Sequence, residues 1–134
     1  MRTTSNTYGQ RAGVAWVRPQ YLTQLGDDEL IADLLDTFST DTAARIQQMR
    51  AALGNANFAK IRAEAHSIKG GARQLGADAV ADACQMLESD CTHQEASLVA
   101  AQVNRVQELF EEVRVPMASY SGSRSADPSL APVG

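Results

Sequence analysis

Aromatic residues supply only 5% of this 134-residue chain: three Phe, three Tyr and one Trp. With 44% of the chain apolar, alanine, leucine and valine must fill the interior. That composition suits helices packed on helices and argues against a β-sandwich. No apolar run approaches the roughly 18 residues of a bilayer span. The opening stretch "MRTTSNTYGQRAGVAWV" has no apolar core of the signal-peptide kind, so a cytoplasmic location is expected. Cysteine is equally scarce. Cys84 and Cys91 would lie about 10 Å apart along a helix, too far for a disulfide, and are expected as buried free thiols. A zinc site using both with His93 fails, because Cys91 and His93 face different ways and no fourth ligand is near in sequence. No metal site is expected. No strand-like alternation, internal repeat or Gly-rich nucleotide loop is present, and the length suits one domain without an ATP-binding unit.

What remains is helical patterning. A short helical turn is predicted in "PQYLTQLG", with Tyr21, Leu22 and Leu25 capping the core. A long helix starts at the acidic residues 27–29 and carries Leu30, Ile31, Leu34, Leu35, Phe38, Ile46, Met49 and Leu53, with a possible interruption at "STDT", residues 39–42. "GNAN", residues 54–57, supplies a glycine stop and an asparagine cap. The next helix, about 57–75, has Ile61, Ala65, Ile68, Ala72, Leu75 and Ala79 at alternating spacings of four and three. Gly76 ends it and Asp78 is placed to cap its successor, whose stripe is Val80, Cys84, Leu87 and Cys91. Val99, Val103, Val106, Phe110 and Val113 mark a fourth helix, stopped by Pro116. The fold class is therefore all-α: an antiparallel four-helix bundle with a short N-terminal helical segment. Residues 18–115 form the bundle, residues 1–17 a flexible N-terminal segment, and the Pro-, Ser- and Gly-rich residues 116–134 a disordered tail.

His66 stands apart from these stripes. At about 100° per residue, the apolar residues of its helix centre roughly 220° away from it, while Arg62, Lys69, Gly70 and Arg73 fall within about 60°. The histidine is thus expected at the surface among cations. Residues 57–75 hold Lys60, Arg62, Lys69 and Arg73 against Glu64, a net of +3 on a chain of net −4. Such a local basic face implies an anionic partner surface or a phosphate. Four cations without interleaved aromatics do not suggest nucleic acid. Two consecutive glycines cost a helix roughly 1 kcal/mol each relative to alanine. Gly70 shares the outward face with His66, where it would let another molecule's backbone approach the imidazole. Gly71 points sideways, and packing explains it equally well. Gln74, about 80° from His66, is better placed than Glu64, about 160° away, to reach the ring or a phosphate.

"AHSIKGGARQLGA" resembles the signature of histidine-containing phosphotransfer domains, His-x-x-Lys-Gly followed six residues later by Gly; here these are His66, Lys69, Gly70 and Gly76. The similarity extends through "LIADLLDTF" upstream and "ADACQMLE" downstream, covering roughly residues 20–114. The resemblance implies a four-helix bundle that accepts a phosphoryl group on His66 from the phospho-aspartate of a receiver domain and passes it to another response regulator. The implied partners are response-regulator receiver domains and a hybrid sensor histidine kinase. The protein would be a monomeric phosphocarrier rather than an enzyme, without a cofactor of its own, the Mg2+ ion being supplied by the receiver. His66 would attack as a neutral imidazole through Nε2, with Lys69 and Arg73 favouring that form and then stabilising the phosphorylated product. Arg62, Gly70, Arg73 and Gln74 would form the partner- or phosphate-binding surface. Two alternatives are the phosphorylatable N-terminal module of a chemotaxis-type histidine kinase and a receiver-binding adaptor that takes no phosphate. The dimerisation helix of a sensor kinase fits poorly, because Ser67 and Ile68 follow the histidine instead of an acidic residue and a proline.

Overall fold

A computed structural model describes residues 16–125, with side chains as far as residue 120. The expectations for residues 1–15 and 126–134 lie outside that range. Five helices occur in it: α1, Gln20–Gln24; α2, Asp28–Leu53; α3, Phe58–Gln74; α4, Asp78–His93; and α5, Ala96–Ser125. Helix α2 packs on α3, α3 on α4, α4 on α5, and α5 returns to α2. Connections of two to four residues between them force successive helices to run antiparallel. The result is the predicted four-helix bundle, with α1 leading into it.

The predicted stripes form its core. Ile31, Leu35, Phe38, Ile46 and Met49 of α2 meet Ile61, Ala65, Ile68 and Ala72 of α3. Val80, Cys84, Leu87 and Cys91 of α4 and Val99, Val103, Val106, Phe110 and Val113 of α5 complete it, and both cysteines are buried and free. Burial pushes the Cys84 thiol up to about 12, with Glu88 adding to the rise. Phe38 and Phe110 meet edge to face, ring centroids 6.2 Å apart. Leu30, Leu34, Tyr21, Leu25 and Ala79, expected inside, are exposed, and of the α1 residues only Leu22 is buried. A stripe wider than the face a neighbouring helix can cover leaves its margins in solvent.

Each helix start has its own device. Asp27 caps α2 by accepting from the Leu30 N–H at 3.0 Å, and Asn57 caps α3 by accepting from the Lys60 N–H at 3.1 Å. Asp78 does not cap α4; it is the first helical residue after Ala77 and lends its charge to the first turn instead. The "STDT" stretch does not interrupt α2: Thr42 is buried on the core side, while Thr40 and Asp41 face solvent.

All three junctions between long helices use one turn. In each, a left-handed residue sits between two back-bonded amides: Ala77 N–H to Ala72 C=O across Gly76, Asn57 to Ala52 across Ala56, and Glu95 to Asp90 across Gln94. These are Schellman turns. Only Gly76 places a glycine at the left-handed position; the predicted glycine stop, Gly54, keeps φ at −61°. Gly76 is required twice over, since a Cβ there would also lie 2.6 Å from Pro19 Cγ. Trp16 closes the same corner by donating its Nε1–H to the Leu75 carbonyl at 2.7 Å. Trp16 therefore belongs to the packed domain rather than to a flexible segment.

Pro116 does not stop α5. A proline inside a helix removes one backbone bond and costs about 3 kcal/mol, yet Met117 beyond it is buried and Tyr120 packs against the core. The Tyr120 hydroxyl lies 3.2 Å from Asp28 Oδ1, and the Arg18 guanidinium lies 4.9 Å from the Tyr120 ring centre. These tertiary contacts extend the bundle past the expected boundary at 115. At the α4–α5 junction, exposed Gln94 holds φ at 56°, a conformation costing about 1–2 kcal/mol for any residue with a Cβ. Gln94→Gly should therefore stabilise the protein by about 1 kcal/mol after the gain in unfolded-chain entropy is subtracted. A higher urea midpoint at unchanged m would register it.

Candidate functional site

Because Ile61, Ala65, Ile68 and Ala72 are buried, the opposite side of α3 faces solvent, and His66 stands there with 71% of its side chain exposed. Its Nδ1 lies 3.4 Å from Glu88 Oε1 on α4. Lys69, one turn on, is only 20% exposed. It does not extend into solvent but crosses to α4, 2.8 Å from Glu88 Oε2, and donates to Gln85 Oε1 at 2.9 Å. Burial pushes the Glu88 carboxyl up, but the Lys69 ammonium outweighs this with help from His66, and the carboxyl stays below its ordinary value. One carboxylate thus holds both signature side chains.

The remaining expected residues divide. Arg73 pairs with Asp82 at 3.1 Å in an exposed ion pair, a contact worth little. Arg62 is exposed and makes no ion pair among the described residues; it lines a hollow with His66 and Glu88. Gln74 makes no hydrogen bond to His66 and lines a groove towards α1 and α2 with Leu34 and Leu75. Glu64 also avoids the imidazole. It is buried and ties α3 to α2 through Arg45 at 2.8 Å, with Lys60 at 2.9 Å. Burial raises the Glu64 carboxyl, while Lys60 and Arg45 together carry it below its ordinary value. The glycines separate as their helical positions suggested. A Cβ at Gly70 would meet nothing within 4 Å, whereas one at Gly71 would press on the Phe38 ring at 3.2 Å.

Gln85 and Glu88 had no assigned role in the sequence. Their three-residue spacing puts both on the edge of α4 flanking Cys84 and Leu87, and a polar pair bordering a core stripe was the available signal. Among the described residues no group of three or more His, Cys, Asp or Glu is arranged to hold a metal ion. No helix there is long and apolar enough to cross a membrane.

The site thus combines an exposed histidine bound from below by a carboxylate, a tethered lysine and an open glycine position. Residues 33–115 match the Hpt domain family. The chain belongs to that family. A solved Hpt structure, the histidine-containing phosphotransfer protein B (HptB) from Pseudomonas aeruginosa PAO1, matches with a TM-score of 0.72 and 30% sequence identity. The match covers 78% of this chain and 90% of HptB. No curated protein matches significantly. The Hpt assignment makes the chain a histidine phosphotransfer protein of a phosphorelay, a phosphocarrier rather than an enzyme.

Two outcomes follow for this Hpt site. Gly70→Ala should raise stability by up to about 1 kcal/mol, and Gly71→Ala should gain less, because only the latter displaces Phe38; thermal unfolding of the pair checks the order. Glu64 and Glu88 titrate below their ordinary value of 4.5 when folded. Their stabilisation is therefore complete above that pH and lost as acid protonates them. Glu88→Gln should flatten the acid limb of the stability curve, read from urea midpoints between about pH 3 and pH 7.

Proposed function

We propose that the chain accepts a phosphoryl group on His66 Nε2 from the phospho-aspartate of a receiver domain and returns it to the aspartate of another response regulator. The Nδ1 contact with Glu88 carries this reading. An ionised carboxylate only accepts hydrogen bonds, so it favours the proton on Nδ1 and leaves the Nε2 lone pair facing solvent. In the transfer the lone pair forms an N–P bond as the aspartyl O–P bond breaks, and the bonding electrons return to the carboxylate. The second transfer reverses these steps. Positioning and charge dominate such chemistry. The Mg2+ ion and acidic pocket belong to the receiver in this proposal, and no ATP site is needed on the Hpt chain.

The open position at Gly70 lets the receiver's backbone close over the ring. Exposed Tyr21, Leu25 and Leu34 flank a groove that continues to Arg73 and Gln74. This apolar margin beside the basic face is the surface offered to the receiver. We further propose that it works as a monomer in the cytoplasm and receives phosphoryl groups by way of a hybrid sensor kinase.

Incubation with a phosphorylated receiver domain should label the wild-type protein and leave His66→Gln unlabelled. Label on His66→Gln would reject the assignment. Labelling by a kinase domain and ATP without any receiver would favour a chemotaxis-type module, and receiver binding without labelling an adaptor. Gly70→Gln should slow receiver-dependent labelling about tenfold or more, as expected when about 1.4 kcal/mol of docking is lost.

A further inference from the structure

The cations around His66 are not equivalent. Lys69 is committed to Glu88 and Gln85, and Arg73 contacts Asp82. Arg73 is also seven residues from His66, about 10 Å along the axis. Arg62 is one turn away, about 6 Å along the axis, and has no carboxylate partner among the described residues. Side chains on an α-helix lean towards its N-terminus, so the imidazole of His66 covers the turn that carries Arg62 and Ala63, rather than the turn of Gly70. On that side Ala59, Arg62, Ala63, His66 and Ser67 of α3, with Glu88 of α4, line an open surface hollow of about 530 Å³. Its three smallest residues leave space beside the ring.

We infer that this hollow seats the phosphoryl group once it is on His66, and that Arg62 is the residue that grips it. The inference rests on the phosphocarrier reading and assigns the holding role to Arg62 in place of Lys69 and Arg73. A guanidinium presents paired donors that match phosphate oxygens. In the loose transition state of P–N cleavage the leaving phosphoryl group sheds charge. A cation bound to the dianion therefore stabilises the phosphohistidine more than its breakdown. Arg62 sets the lifetime of the stored group, while Glu88 and Lys69 position the ring.

Phosphoramidate tests this on the full chain without a receiver. Nε2 attacks its phosphorus, the N–P bond to histidine forms as the donor's P–N bond breaks, and ammonia leaves with a proton. Decay of phospho-His66, followed by phosphorus NMR, should be about three- to tenfold faster in Arg62→Ala, the range of one partly exposed charge-assisted contact. Arg62→Lys should restore most of the lifetime. The phosphoryl group's own second pKa should be higher in Arg62→Ala than in the wild type, a shift that a merely structural residue would not cause. Equal lifetimes in the wild type and Arg62→Ala would overturn the inference while leaving the phosphocarrier reading intact. Failure of the wild type to take any label on His66 would overturn both.

Discussion

Burial of one side of α3 sets the terms for everything else in the molecule. Ile61, Ala65, Ile68 and Ala72 are almost completely removed from solvent, and each square ångström of apolar surface so removed contributes about 25 cal/mol. Rotating the helix by one residue, about 100°, would expose that stripe and drive charged side chains inward. The outward orientation of His66 is therefore held by the core and not by any contact of its own. The alanines at 65 and 72 also let the neighbouring helices approach closely, which brings α4 within reach of the histidine face.

Glu88 completes the site from that neighbour, and its position has a traceable origin. The register of α4 against α3 is fixed by the short turn through Gly76, whose left-handed φ and contact with Pro19 exclude any side chain. Trp16 holds the same corner through the Leu75 carbonyl. With the register fixed, Glu88 lies under both His66 and Lys69. Partial burial disfavours a lone carboxylate, and the lysine offsets that cost, so the pair is stable only together. The lysine is consequently less a free surface cation than a brace for the carboxylate that contacts the imidazole.

The charge pattern divides along the same lines. A net basic helix face sits on a net acidic chain, and its members have different duties: Lys60 helps to lock α3 to α2 through Glu64, Lys69 braces Glu88, and Arg62 stays available. Beside this face, α1 and the start of α2 leave Tyr21, Leu25, Leu30 and Leu34 exposed. In the proposed docking to a receiver, such an apolar margin would supply binding area where steering charge alone gives little affinity.

The sequence alone determined the helices, their order, the four-helix architecture and the outward face of His66. All of these follow from local periodicity and from glycine and capping residues near the helix ends. The His-x-x-Lys-Gly pattern likewise pointed to phosphotransfer, because its residues share one helix and their spacing is readable. Only the tertiary structure decided what depends on a second helix: the Glu88 and Gln85 partners of Lys69, the seclusion of Glu64, and the contrast between open Gly70 and Gly71 against Phe38. Pro116 shows the same limit from the other side. Its local preference is to end a helix, and contacts of Met117 and Tyr120 with distant residues outweighed it. Interactions within a few residues leave a periodic signature, whereas the register between helices is fixed by packing that no single stretch of sequence records.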